Sequence, residues 1–136
     1  MTTRRPADDT ALARADLRQL VAAAADLCRK PLRHGVVLTS APGDPDCSLR
    51  LEVRDPDAGR LVEHDLELEI YRSGTPPEAS LHLTLAWLQD DSRPMLWQGQ
   101  HPVWMDPHGQ RCERPADGLP LEALARRLRA LLADFA

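Results

Sequence analysis

The chain has 136 residues, near the commonest size of a single folded domain, and its 43% hydrophobic and 28% charged content supports a packed core and excludes a disordered chain. A formal charge of -4 lacks the basic excess of a nucleic-acid footprint, so no nucleic-acid partner is expected. No apolar run approaches a membrane span, none follows Arg4 and Arg5 as a signal peptide requires, and Cys28, Cys47 and Cys112 are widely spaced and odd in number, so the expectation is free thiols, a cytoplasmic location and no membrane partner.

One α+β domain is expected over 1–136, with residues 1–9 expected to be disordered. The first element runs from about Ala11 to Lys30. Leu12, Leu17, Leu20, Val21, Ala24, Leu27 and Cys28 recur at steps of three and four, which marks one buried helical stripe. Arg14, Arg18, Gln19, Asp26 and Arg29 fall mostly on the opposite side. Asp9 or Thr10 can cap the start, and Pro31 ends the helix because it lacks the donor and restricts Lys30.

Residues 35–40 read as either a short strand or an extended connector, and 42–46 as a loop. From Cys47 to Arg54, Leu49, Leu51 and Val53 alternate with Arg50, Glu52 and Arg54. After the Asp55–Gly59 turn, Val62, Leu66, Leu68 and Ile70 are inward, with Glu63, Asp65, Glu67 and Glu69 outward. A turn over 73–78 leads to Leu81, Leu83, Leu85 and Trp87, again every second residue. Pairing Leu49 with Leu66 sets Val53 opposite Val62, Leu51 opposite His64 and Arg50 opposite Asp65. Pairing Ile70 with Leu81 sets Glu69 opposite His82. Both hairpins then agree on a single apolar face and a charged, solvated opposite face.

Met95 to Met105 reads as one strand interrupted by Pro102, at an edge or bulge. Asp106-Pro107-His108-Gly109 has type I turn chemistry, and Gln110 to Arg114 can pair back as a short edge strand. The last helix begins near Asp117 to Pro120, with Leu121, Leu124, Ala125, Leu128, Leu131, Leu132 and Phe135 as its stripe and Glu122 at its positive end. The expected fold is therefore α+β: an antiparallel meander of about five to six strands, with N-terminal and C-terminal amphipathic helices packed on one face.

Chemistry-bearing residues are sparse. The glycines do not cluster into a phosphate loop. His101, His108 and Cys112 flank one turn, but their spacing matches no compact zinc pattern, so no metal is expected. Ser48, Ser80 and the cysteines lack a neighbouring base held by a third group, and the paired carboxylates sit in turns or on the wet face. His64 falls on the apolar parity and is expected at the core edge, whereas His82 is expected to pair with Glu67 or Glu69. No catalytic residue and no cofactor is assigned. Sixteen of seventeen basic residues are Arg, which is consistent with a GC-rich bacterial genome.

One segment stands out. Leu96 to Met105 holds two of the three tryptophans in a chain with 4% aromatics, where tryptophan and methionine favour interface centres. Trp97, His101, Trp104 and Met105 are the binding candidates, in an irregular edge region over 95–112. The reading is a non-enzymatic binding or accessory protein that contacts a protein partner or small ligand and can pair as a homodimer. The Asp106–Gly109 turn followed by a leucine-rich last helix is similar in outline to the type III secretion chaperone family, which implies a chaperone of secreted effectors. Residues 79–88 read as a strand, however, where those chaperones carry a helix. A small enzyme built around His64 or His101 is the third reading.

Overall fold

The computed structural model describes residues 6–41, 43–75 and 80–133, with the first helix's side chains described from Leu17 on. Helix α1 spans Pro6–Cys28 and is followed by β1 (Arg33–Leu38), β2 (Cys47–Asp55), β3 (Gly59–Arg60), a 3-10 turn (Val62–His64), β4 (Leu66–Ser73) and β5 (Ser80–Trp87). The chain continues through β6 (Met95–Gln98), β7 (Pro102–Met105), β8 (Arg111–Cys112) and helix α2 (Leu119–Leu132). The strands form one antiparallel sheet in the order β1-β2-β4-β5-β6-β7-β8, with β3 paired to β2. Every link is therefore local, as the alternating pattern between turns indicated.

The α+β class and the meander stand, but the sheet has eight strands rather than five or six. Residues 33–38 form a true strand, and the stretch expected to be one broken strand is a hairpin, with Pro102 opening β7. Helix α1 is described from Pro6, upstream of the proposed Asp9 or Thr10 cap. Residues 6–9 are thus described as part of the helix. Residues 1–5 and Phe135 lie outside the described residues, as do residues 76–78 of the 73–78 turn.

Both expected registers are displaced by two residues, which preserves parity. Leu49 faces Leu68, and Leu51 faces Leu66. Ile70 faces Leu83, and Tyr71 rather than Glu69 faces His82. The displacement at β2–β4 arises because Val62–His64 coils into a 3-10 turn instead of extending the strand, leaving Val62 44% exposed and His64 half-buried.

Leu49, Leu51, Leu66, Leu68, Leu83, Leu85 and Leu96 are fully buried against Val21, Ala24 and Ala25 of α1 and Leu121, Leu124, Ala125 and Leu128 of α2. Each buried leucine contributes roughly 2 kcal/mol of transfer free energy. The small α1 residues let that helix lie close to the sheet. Two side chains depart from the expected stripe: Leu27 is 47% exposed, and Arg29 is buried.

Candidate functional site

Both helices pack on the leucine face. The opposite face was expected to be uniformly charged, and across β2 and the start of β4 it is, with Arg50, Glu52, Arg54, Glu67 and Glu69. Farther along it changes character. The register sets Tyr71 beside His82, aligns Thr84, Trp97 and Val103 in one cross-strand row, and places Met95 opposite Met105.

These side chains are held rigidly. The Trp97 Nε1–H donates to Tyr71 Oη at 2.7 Å. The indole stacks on His82 with ring centroids 5.1 Å apart and 25° between planes, and His82 lies 5.4 Å from the Tyr71 ring. A Cβ at Gly99 would lie 2.5 Å from the Trp97 ring, so only glycine admits the indole in this pose. His82 Nε2 sits 2.6 Å from Ser73 Oγ, not against Glu67 or Glu69 as expected, and its buried Nδ1 has no hydrogen-bond partner among the described residues.

Beside this aromatic trio a cleft of about 370 Å³ is lined by apolar Ala86, Met95 and Met105 and by acidic Glu67, Asp90 and Asp91. Arg93, also in the lining, is already engaged: its guanidinium lies 3.5 Å above the centre of the Trp87 ring and pairs with Asp117. Burial acts to raise the Asp117 carboxyl, but its bond to Arg93 outweighs this and holds it below the ordinary range.

The four sequence candidates do not converge. Trp97 and Met105 lie on the outer face, and His101 is exposed in the 99–101 turn at its margin. Trp104 points the other way, into the core at 5% exposure, near-parallel to Trp87 at 6.1 Å. Its Nε1–H donates to Glu122 Oε2 at 2.7 Å, and Arg114 reaches Glu122 at 3.3 Å. Glu122 thus does more than complement the helix dipole: it is buried and satisfies an indole donor. A Cβ at Gly118 would lie 2.8 Å from the Trp104 ring, so this close approach also requires glycine.

Of the other residues weighed, His108 is exposed in its turn, and Cys112 is half-buried opposite Trp104. No group of three or more His, Cys, Asp or Glu side chains is placed to hold a metal among the described residues. Tyr71, His82 and Met95 were not singled out as candidates, although each lies off the leucine parity of its strand. An apolar or aromatic residue at a nominally wet position was the available signal.

A buried polar network braces the β1–β2 side of the sheet, away from β6 and β7. His34 donates its backbone N–H to Asp26 Oδ1 at 2.8 Å, and its Nδ1 lies 2.9 Å from the same oxygen. Arg29 Nη1 approaches His34 Nε2 at 3.1 Å, while Nη2 donates to the His64 carbonyl at 3.2 Å. Only a neutral imidazole protonated on Nδ1 satisfies both neighbours. Burial lowers the His34 pKa in the same sense, and it pushes Arg29 down to about 10. Asp65, expected outward, is instead 2% exposed. It accepts the Val53 N–H at 2.8 Å and two Arg60 bonds at 2.7 and 2.6 Å. Burial acts to raise its pKa, but the Arg60 and Val53 bonds prevail and depress it. Asp65 thus stands off the expected Arg50 pair, since Arg50 faces Glu67.

The model of a family described as a domain of unknown function (DUF8659) matches residues 18–131. The chain belongs to this family. No curated protein and no solved structure matches the chain significantly. The DUF8659 match takes in every strand, and with them the outer-face trio, the acidic cleft and the Asp65–Arg60 pair. No helix among the described residues is long and apolar enough to cross a membrane.

Proposed function

We propose that this DUF8659 protein is a non-enzymatic binding module whose outer sheet face, centred on Trp97 and Met105, receives a segment of a partner protein. The observation that carries this reading is the run of aromatic and apolar side chains on the face that neither helix covers: Tyr71, Trp97 and Val103, then Met95 and Met105. Tryptophan, tyrosine and methionine are the residues that protein interfaces concentrate. The indole is preorganised by Tyr71 and Gly99, which lowers the ordering cost of binding. Glu67, Asp90 and Asp91 in the cleft lining favour a segment with apolar anchors flanked by Lys or Arg, through charge complementarity.

Selection of a random phage-displayed peptide library on the full chain tests this. The expected result is a set of peptides that combine apolar and basic residues and fail to bind the Met105→Lys variant. Enrichment without that composition, or binding unchanged in Met105→Lys, would refute the reading. Sedimentation equilibrium supplies a second arm: concentration-dependent dimerisation abolished by Met105→Lys would replace the foreign segment with a second copy of the chain.

A further inference from the structure

At the other end of the outer face, three guanidinium groups meet in one row. Arg33 of β1 is the direct cross-strand partner of Arg54 of β2, and Arg54 is the direct partner of Arg60 of β3. Like charges set directly opposite one another destabilise a sheet, so such a row persists only with a compensating counter-charge or full hydration.

The compensation inside the chain is incomplete. Asp65 is committed to Arg60, which it holds by two short bonds while Val53 anchors it from behind. Arg33 lies 3.6 Å from Asp26 with its side chain 73% exposed. The Arg54 side chain has no ion pair or hydrogen bond among the described residues, and it is exposed. Glu52 brings a carboxylate to the row, 3.4 Å from Arg60 and 3.6 Å from Arg50.

Beside the row the surface is hollow. Gly35 sits opposite Glu52, and a Cβ built there would meet no atom within 4 Å. The resulting cleft of about 290 Å³ is lined by Arg33, His34, Gly35, Glu52, Arg54 and Arg60. It combines a guanidinium fixed in direction by a buried carboxylate, two more free to swing in, and a glycine floor that leaves room for a ligand. Planar guanidinium forks suit the oxygens of a phosphate group, and a preorganised fork loses little entropy on binding.

We infer that this cleft binds the phosphate group of a free small molecule, with Arg54 and Arg33 closing on an anion that Arg60 orients. Glu52 occupies part of that role in the empty cleft and competes with the ligand. The site shares no lining residue with the cleft beside Met105 and stands or falls without the peptide proposed there.

Amide NMR titration of the full chain with inorganic pyrophosphate, at ionic strength held constant with sodium chloride, tests the assignment. Saturable shifts are expected at Gly35 and Arg54. Arg54→Gln should weaken binding by roughly fivefold, the worth of about one contact. Glu52→Gln should tighten it by removing the internal competitor. Arg54 supports no other group, so its variant keeps the fold, which its amide spectrum verifies. Absence of saturation, or an unchanged affinity in Arg54→Gln, overturns the inference. Cosedimentation with phosphatidic acid vesicles, against phosphatidylcholine vesicles, separates the sources of phosphate. Pyrophosphate binding without vesicle binding is the expected result, and vesicle binding lost in Arg54→Gln without any pyrophosphate response overturns the free-ligand assignment.

Discussion

Trp104 and Trp97 lie on neighbouring strands and are used in opposite ways. Trp104 faces the helices, buried beside Trp87, with its N–H on a carboxylate that is itself buried. Trp97 faces away, half-buried, with its N–H on a tyrosine hydroxyl and its ring against a histidine. Both indoles need a glycine beside them and both are satisfied donors, so rigidity does not distinguish them. What does is cover: one is enclosed by α2, and the other is presented by the sheet. Substitutions on the inner face should therefore register as lost stability, and those on the outer face as lost binding.

The largest effect is expected where a fully buried leucine is cut down in the central strand. Leu85 lies between Leu68 and Leu96. Leu85→Ala should cost about 4 kcal/mol in urea unfolding, because the two flanking strands cannot collapse onto the cavity. A loss under about 1 kcal/mol would break the assignment of β5 to the core centre. Next is Asp65→Ala, at about 3 kcal/mol by the same measurement. It strips the Val53 N–H and Arg60 of their acceptor. Because Arg60 keeps 34% exposure, solvent limits the cost below that of an entirely buried pair. Trp104→Phe should cost about 1.5 kcal/mol, the indole donor being lost from a buried carboxylate that retains Arg114.

The buried network also sets a pH dependence. His34 has a lowered pKa in the fold, so the unfolded chain takes up the proton first. Its stabilising contribution is complete above the unfolded value of about 6.5 and declines as the pH falls below it. Asp65 and Asp117 are depressed carboxyls, so their contribution persists to lower pH and is lost only below an unfolded value of about 3.9. The urea midpoint should therefore fall in two separated steps on acidification. His34→Gln should flatten the first step and leave the second, and a first step retained in that variant would assign it to another group.

Parity was legible because period-two alternation survives any shift of register by two, and Leu49, Leu51, Leu66, Leu68, Leu83 and Leu85 all lie on the inner face as read. The register itself was not. It depends on whether Val62–His64 extends or coils, and the choice is made by Asp65 turning inward to the Val53 amide, a contact across strands that no local pattern encodes. The Asp26–His34–Arg29 network was hidden for a similar reason. On a helical wheel Arg29 belongs to the polar side, and it is buried where it meets His34 of β1 and the His64 carbonyl, both distant in the pattern that the wheel reads. Composition singled out 95–105, and the structure places Met95, Trp97 and Met105 of that stretch on the outer face. Reading that stretch as one strand concealed that Trp97 and Trp104, paired through a hairpin, face opposite ways. Tyr71 and His82 come from β4 and β5, so the trio around Trp97 exists only once three strands are in register.

The smallest expected change in stability carries the sharpest test of the comparison. Met105 is half-buried on the outer face, opposite Met95, and lines the acidic cleft with its side chain against no helix. Met105→Lys should alter the urea midpoint by no more than about 0.5 kcal/mol equivalent, since a long aliphatic stem can lie where the thioether lay and its ammonium meets Glu67, Asp90 and Asp91. The same change should abolish selected-peptide binding, because it places a positive charge where the proposed segment brings its own. A Lys that destabilises as strongly as Leu85→Ala would show that the outer face is packed after all, and the division of labour between the two faces would fail. A Lys that is silent in both measurements would leave the outer face unpacked but refute the binding surface proposed for it. Only the combination of near-wild-type stability and lost binding matches a sheet whose inner face is spent on folding and whose outer face is left for a partner.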